Sequence, residues 1–544
     1  MPLSRLKILF ALGSLTLLIL FGLTAVYSSK TALLLHAYSP MDDAYIFVRY
    51  AHNILGGHGV VWNPGEGSTY GASSALYLGI LTAAMGASSL DVGVILQILS
   101  WSMAVAFAFA VVWAVRSQCR SDVMRSTALI LFLVMAFVFT SKAFLYHALT
   151  GMETTTALVT NTLLIGLVLR LIQSPSTAKA IGVGVLGWLC YSARPETGLY
   201  AVFFPLAAIW LMGSGKRLAL IAWCLGTLAV LIGLDLIVKQ VLFGSPLPLA
   251  FFVKRLDFYE GYTGHANWNT AGYVLQFIQE VLPFLFILIF TAQRKHLRMI
   301  AAFLFPVFLH IIYLFFVVQI MGNNARYYYT ALPFVIVPAM ITLDDFIAEE
   351  RSVRNLIPRL ASCALLFVMV STLFGEKVAG YYRIHVLAAK DSSNNHYIVP
   401  SSRTLPTLKW TEALAGVSKI VSKLPSGAVV AMSEVGYPGV VAPNVSIIDL
   451  AGLNDNVTAR GGFSVDKLLD RKPDFVWLPH QHYTRLTASL INSPRFQREY
   501  DVIPDAFDYG IAIRKHGPYR ETIIKSLRQV WHERYPGIPL PAYP

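Results

Sequence analysis

Long uncharged or nearly uncharged runs recur through the first 375 residues, near 8–27, 92–115, 125–143, 153–172, 177–194, 197–214, 218–240, 271–292, 299–320, 328–347 and 356–375. Each is long enough, or nearly so, to cross about 30 Å of hydrocarbon as a helix. Only a helix or a closed barrel satisfies its backbone there, and runs of this length are helical. With 56% hydrophobic and 13% charged residues and a mean hydropathy of +0.58, the chain reads as a polytopic α-helical membrane protein with about 11 transmembrane helices. The first run follows Arg5 and Lys7, is too long for the apolar core of a signal peptide and lacks an obvious cleavage site, so a retained helix is expected.

Charge fixes the expected orientation. Arg116, Arg120 and Arg125, then Arg170 and Lys179, Lys216 and Arg217, Arg294, Lys295 and Arg298, and Arg351, Arg354 and Arg359 all fall in cytoplasmic connections if the N-terminus is inside. The net charge of +13 is thereby explained without a nucleic-acid partner. "GASSALYLGILTAAMGASS", Gly71 to Ser89, would reverse every later connection if it spanned, so it is expected to be re-entrant or juxtamembrane. Residues 177–214 are read as two helices, because thirty-eight residues in one helix would overshoot the bilayer. Cys119, Cys190, Cys224 and Cys363 lie in or beside apolar runs and imply no disulfide framework.

This orientation sends the remaining polar connections to one outer face. They are the long first loop, 28–91, with Asp42, Asp43, Arg49, His52, His58 and Glu66; His147 and Glu153 in "YHALTGMETTT"; Arg194 and Glu196 in "SARPETG"; Lys254 and Arg255; and Asn323, Asn324, Arg326 and Tyr327 in "MGNNARYYYT". Several have ordinary local explanations. Arg326 with Tyr327, Tyr328 and Tyr329 fits an interfacial aromatic belt with a snorkelling anchor. Pro195 and Glu196 suit a helix start, as does Glu153. The histidines lack metal-ligand spacing. Asp235 and Glu280 fall inside predicted spans, where ionisable groups invite a functional reading.

Asp42 and Asp43 resist a local explanation, since a helix N-cap needs one Asp. "AYIFVRYAHNIL" after them has apolar Ile46, Val48, Ala51, Ile54 and Leu55, the pattern of a short amphipathic helix lying on the membrane. Paired carboxylates at its start, near outward arginines and a lysine, suit a general base working beside an anionic leaving group.

Beyond Phe374 the composition turns to Ser, Asn, Asp and Lys. The expected organisation is a transmembrane catalytic region over 1–375, a linker over 376–404 and an extracytoplasmic α/β domain over 405–544 with a Pro-rich tail, "RYPGIPLPAYP". "AVVAMSE", "VSIIDLAG" and "DFVWLP" read as buried strands, and "FQREYDVI" with "YGIAIRK" as a closing antiparallel pair. Glu434, Asp449, Asn454 and Asp455 at strand ends suit either acceptor binding or turn chemistry.

The block "DDAYIFVRYAHNILGGHGVVWNPGE" resembles the first-loop signature of the GT-C membrane glycosyltransferases, especially their arabinofuranosyltransferase-like branch. "GME" at 151–153, "ARPE" at 193–196, "FGSPLPLAFFVK" at 243–254, "RYYYTALP" at 326–333, "IIDLAGLND" and "KPDFVWLP" are similar too. The resemblance implies an inverting transfer of a sugar, a pentose or a hexose, from a polyprenyl-phosphate donor to a glycan, lipid or protein acceptor at the outer face of a bacterial cytoplasmic membrane. A glycan ligase and a lipid-linked sugar flippase remain alternatives. It assigns Asp42 and Asp43 to catalysis, with Asp42 preferred as base. Arg194, Lys254 and Arg326 would hold the donor phosphate, and Arg49, His58, Glu66, Glu153, Glu196 and Tyr327 would line the substrate site. It names no resident cofactor and leaves room for a divalent cation. The exposed regions contain no Gly-rich phosphate loop and no Asp-x-Asp motif, so no nucleotide pocket is expected. The chain departs from the family pattern after "NPGEG", where it continues "STYGASSALYLG", and at Leu249 and Ala250 after "PLP", so the sugar and acceptor do not carry over.

Overall fold

A computed structural model describes residues 3–34, 41–213, 215–254, 266–317, 319, 323–349, 410–479 and 483–541. The eleventh apolar run, the linker, Cys363 and Arg255 lie outside them.

The chain is a helical membrane protein with a small mixed sheet near its C-terminus. Among the described residues six helices are long and apolar enough to cross a bilayer: Val92–Arg116, Thr154–Gln173, Pro195–Met212, Arg217–Phe243, Ala271–Thr291 and Arg294–Leu314. A seventh candidate differs from the straight helix expected over 125–143, because Ala128–Thr140 and Ala143–Leu149 meet at an 80° bend. Ser141 sits at the corner with extended backbone and caps the second piece through Phe144 N. Thr177–Ala193 and Pro333–Glu349 are shorter, at 17 residues each. The chain breaks between 193 and 198 as expected, since Arg194 is extended and Pro195 opens a new turn. Ala75–Gly86, at 12 residues, is too short to span.

One end of the bundle gathers basic connections. Asp345 pairs with Arg120, Lys295 and His296, and Glu349 with Lys295. Asp344 accepts from the backbone N–H groups of Arg120 and Ser121. The Pro333–Glu349 helix starts at the other end, beside Arg326, and there the polar connections of the first loop meet those after Leu149, Ala193, Phe243 and Asn323.

The C-terminal module is a five-stranded sheet in the order β2-β1-β3-β5-β4, with β1 Val429–Met432, β2 Ser446–Asp449, β3 Phe475–Trp477, β4 Tyr500–Ile503 and β5 Ile511–Arg514. β2, β1 and β3 are parallel, while β5 runs antiparallel to both β3 and β4. Helices Trp410–Val421 and Arg520–Arg534 cover one face through Val417, Ile420, Leu527 and Trp531.

The Asp43–Leu55 helix differs from the one-faced membrane helix expected for it. Its buried residues run through Ala44, Tyr45, Ile46, Phe47, Val48, Arg49, Tyr50 and Ala51, and so go all the way round. A helix buried on every side belongs to a core, and this one lies between Ala75–Gly86 and the Gly436–Val441 helix of the module in a single apolar cluster. Tyr45, Phe47 and Tyr50 supply the second apolar face, and Tyr45 packs edge-on against Tyr437 at 5.1 Å.

Candidate functional site

The first loop is fastened to the module before it forms any site. Asn63 bonds both backbone groups of Ile447: its Oδ1 accepts from the N–H at 2.9 Å and its Nδ2 donates to the C=O at 3.1 Å. Trp62 Nε1 donates to the same carbonyl at 2.9 Å. The "WN" pair thus occupies the open edge of β2, where unpaired backbone groups would otherwise face outward. Arg49 lies beneath, 2% exposed, and donates to the carbonyl oxygens of Trp62 (2.8 Å), Gly439 (2.5 Å) and Val445 (3.0 Å) and to Asn63 Oδ1 (2.9 Å). With its guanidinium so occupied, Arg49 is an internal fastener. His58 is exposed in the loop after the helix, and Glu66 is exposed and accepts from Ser446 Oγ. None of these three joins the cluster described next.

Asp42 and Asp43 point to different partners. Asp42 has helical backbone angles and does not cap its own helix. Instead its two oxygens accept the N–H groups of Gly436 and Tyr437, each at 2.7 Å, at the start of a helix in the module. The approach is close enough that a Cβ at Gly436 would lie 1.9 Å from the Asp42 carbonyl oxygen. Burial pushes the Asp42 carboxyl up to about 7 against the pull of these two N–H groups, and Asp43 adds to the push.

Asp43 is 24% exposed and faces Arg326 Nη1 at 3.8 Å. Burial raises its carboxyl above the ordinary range, while the charges of Arg326 and Lys254 pull it back. Glu153 Oε1 bridges Arg326 (2.9 Å) and Arg194 (3.0 Å), and Arg194 also holds Glu196 at 2.6 Å. Lys254 donates to Tyr327 Oη at 3.0 Å and has no carboxylate partner among the described residues, and both Lys254 and Arg194 lie 5.3 Å from the Tyr327 ring centre. Five segments spread over nearly three hundred residues thus supply Asp43, Glu153, Arg194, Glu196, Lys254, Arg326 and Tyr327 to one cluster. Two of its buried atoms, Glu153 Oε2 and Arg326 Nε, have no partner among the described residues.

Ahead of Arg326 the backbone turns twice into the left-handed region at Asn324 and Ala325, both with φ 54°. This is costly for residues with a side chain and is held from outside by His147 Nε2 on the Asn324 carbonyl at 3.0 Å. His147, one of the polar connection residues to which the sequence gives no role, thus braces this turn. Asp235 pairs with Lys239, and Glu280 accepts from Ser141 Oγ, so both fall outside the cluster. Among the described residues no three His, Cys, Asp or Glu side chains are set to hold a metal ion.

A family model described as a domain of unknown function (DUF8728) matches residues 408–523, which is the module alone. No curated protein matches the chain.

The linkage sign for the fastening follows from burial. A carboxyl raised from 3.8 to about 7, as Asp42 is and as Asp449 is, binds its proton more tightly folded than unfolded. Each contributes stability that is fully present at acid pH, declines as pH rises from about 4 to about 7, and changes little beyond. The decline is at most about 1.4 kcal/mol per pH unit per group. Thermal unfolding of the full chain in detergent should show the midpoint of Asp42→Asn gaining on that of wild type as pH rises over this interval. An equal pH dependence in the two proteins would reject the assignment.

Proposed function

We propose that the chain is an inverting glycosyltransferase of GT-C type that moves a sugar from a polyprenyl-phosphate donor to an acceptor hydroxyl at the outer face of a bacterial cytoplasmic membrane. In this reading the chain spans eleven times from a cytoplasmic N-terminus, and the basic end of the bundle is cytoplasmic. The observation that carries it is the cluster at the opposite end, where three cations and a part-exposed aspartate meet beside an apolar bundle suited to a lipid tail. Phosphate needs cations, the sugar needs a base, and the lipid needs the bilayer.

The roles follow from availability. Asp42 has spent both oxygens on the module, so the base is Asp43. It takes the proton of the acceptor hydroxyl as that oxygen bonds to the anomeric carbon, and the bond from this carbon to the phosphate oxygen breaks on the opposite face. The departing phosphate gains a negative charge. Lys254, which has no carboxylate to neutralise it among the described residues, meets that charge, and Arg326 and Arg194 support it while held by Glu153 and Glu196.

Lys254→Ala should therefore slow transfer by roughly thirty- to a thousandfold, or about 2–4 kcal/mol of transition-state stabilisation, with acceptor binding little changed. The assay is release of free polyprenyl phosphate by the full chain in lipid vesicles given polyprenyl-phosphate pentoses and hexoses. Near-normal turnover would remove Lys254 from phosphate binding. For the function itself, a deletion strain should lose one pentose or hexose from a surface glycan. Accumulation of a complete lipid-linked glycan would instead favour ligation or flipping.

A further inference from the structure

Four polar residues stand at the strand ends of the module, and three are occupied. Asp449 accepts from Ala451 N, Asn454 N and Asn454 Nδ2. Asn454 also accepts from Tyr50 Oη, and Asp455 caps the Asn456–Gly461 helix and pairs with Arg471. Glu434 differs. It leaves the end of β1 two residues before the N–H groups that hold Asp42, is 6% exposed, and makes no hydrogen bond among the described residues. The groups acting on it are Asp43 at the start of the Asp43–Leu55 helix, Asp42 just before it and Asp449 from β2, all carboxyls.

An ionised carboxylate so buried and without a hydrogen-bond donor among the described residues would be poorly solvated, and the nearby carboxyls add to that cost, so the neutral acid is the form that fits. A neutral carboxyl presents one O–H donor and a carbonyl acceptor, a pair that matches two neighbouring hydroxyls of a sugar. Glu434 acts on Asp43 from the module, Arg326 faces it from the bundle, and Lys254 acts on it from the end of the short Leu249–Val253 helix, which itself packs against the module.

We propose that Glu434 is an acceptor-binding residue, hydrogen-bonding the hydroxyls of a carbohydrate acceptor beside Asp43 while the donor phosphate lies against Lys254, Arg326 and Arg194. The assignment rests on the glycosyltransferase reading and narrows it, because it commits the acceptor to a polyhydroxylated glycan. It also gives the module a direct part in the site.

The test uses the full chain in lipid nanodiscs with octyl glycosides of pentoses and hexoses as acceptor probes. Glu434→Ala should raise the acceptor KM tenfold or more with the donor KM unchanged, and Glu434→Gln, which keeps a donor and an acceptor, should raise it less. Equal loss in the two variants, or an unaltered acceptor KM in Glu434→Ala, overturns the proposal. An infrared difference spectrum of wild type against Glu434→Gln at neutral pH should contain a protonated-carboxyl band, and its absence also overturns it. If no donor supports transfer, the glycosyltransferase reading fails by itself, while the infrared band and direct binding of the octyl glycosides still decide Glu434.

Discussion

Asp43→Asn should abolish sugar transfer, with a loss of about a hundred- to ten-thousandfold in turnover, while the protein still folds and binds donor. The amide keeps the size and one accepting oxygen of the carboxylate, and Arg326 and Arg194 stay held by Glu153 and Glu196 and Lys254 by Tyr327, so the cluster has no reason to collapse. What it loses is the capacity to take a proton. Asp42→Asn should behave differently. It swaps one of two accepted backbone hydrogen bonds for a repulsive N–H contact, so activity should fall in step with the loosening of the module. Full activity in purified Asp43→Asn with a dead, well-folded Asp42→Asn would reverse the two roles. Full activity in both would remove the pair from catalysis.

The second large effect is structural. Arg49→Met should destabilise the chain by on the order of 3–5 kcal/mol, because it strands the buried carbonyls of Gly439 and Val445 and takes one of two donors from Trp62 O and from Asn63 Oδ1. Lys is a poor substitute, as a single ammonium cannot reach acceptors spread around a planar fork. Thermal unfolding in detergent measures the loss, and limited proteolysis of the module shows whether it has come away from the first loop. A midpoint equal to that of wild type would mean that water replaces the guanidinium without cost.

Much of this molecule could be read from residue order. The apolar runs are local signals and mark where the helices lie, and Pro195 after an extended Arg194 marked the break between two of them. The alternating stretches of the module likewise lay near its five strands, although "FQRE" belongs to the Pro494–Glu499 helix and only "YDVI" is strand. Three matters were hidden. Adjacent helical residues point about 100° apart, so no reading of "DD" alone could tell that Asp42 looks to the module and Asp43 to the cations. The Asp43–Leu55 helix reads as one-faced on its aliphatic residues alone, whereas Tyr45, Phe47 and Tyr50 complete its buried girth, and an aromatic with a polar tip suits a core as well as an interface. Arg49 resembled a substrate ligand because its acceptors are backbone carbonyls 390 and 396 positions away, and carbonyls leave no trace in a sequence.

The hold of Asn63 and Trp62 on β2 has a consequence for what counts as a unit of inheritance here. The recognised family boundary, 408–523, cuts between a strand and the residues that finish its edge. Expressed by itself, such a fragment would present a bare β2 margin, a template for pairing with its own copies, and would lack the aromatic wall given by Tyr45 and Tyr50. The module is thus poorly suited to being shuffled between unrelated membrane chains as a self-sufficient cassette. Where it recurs, it should travel with a segment that brings an indole and an amide to the same margin.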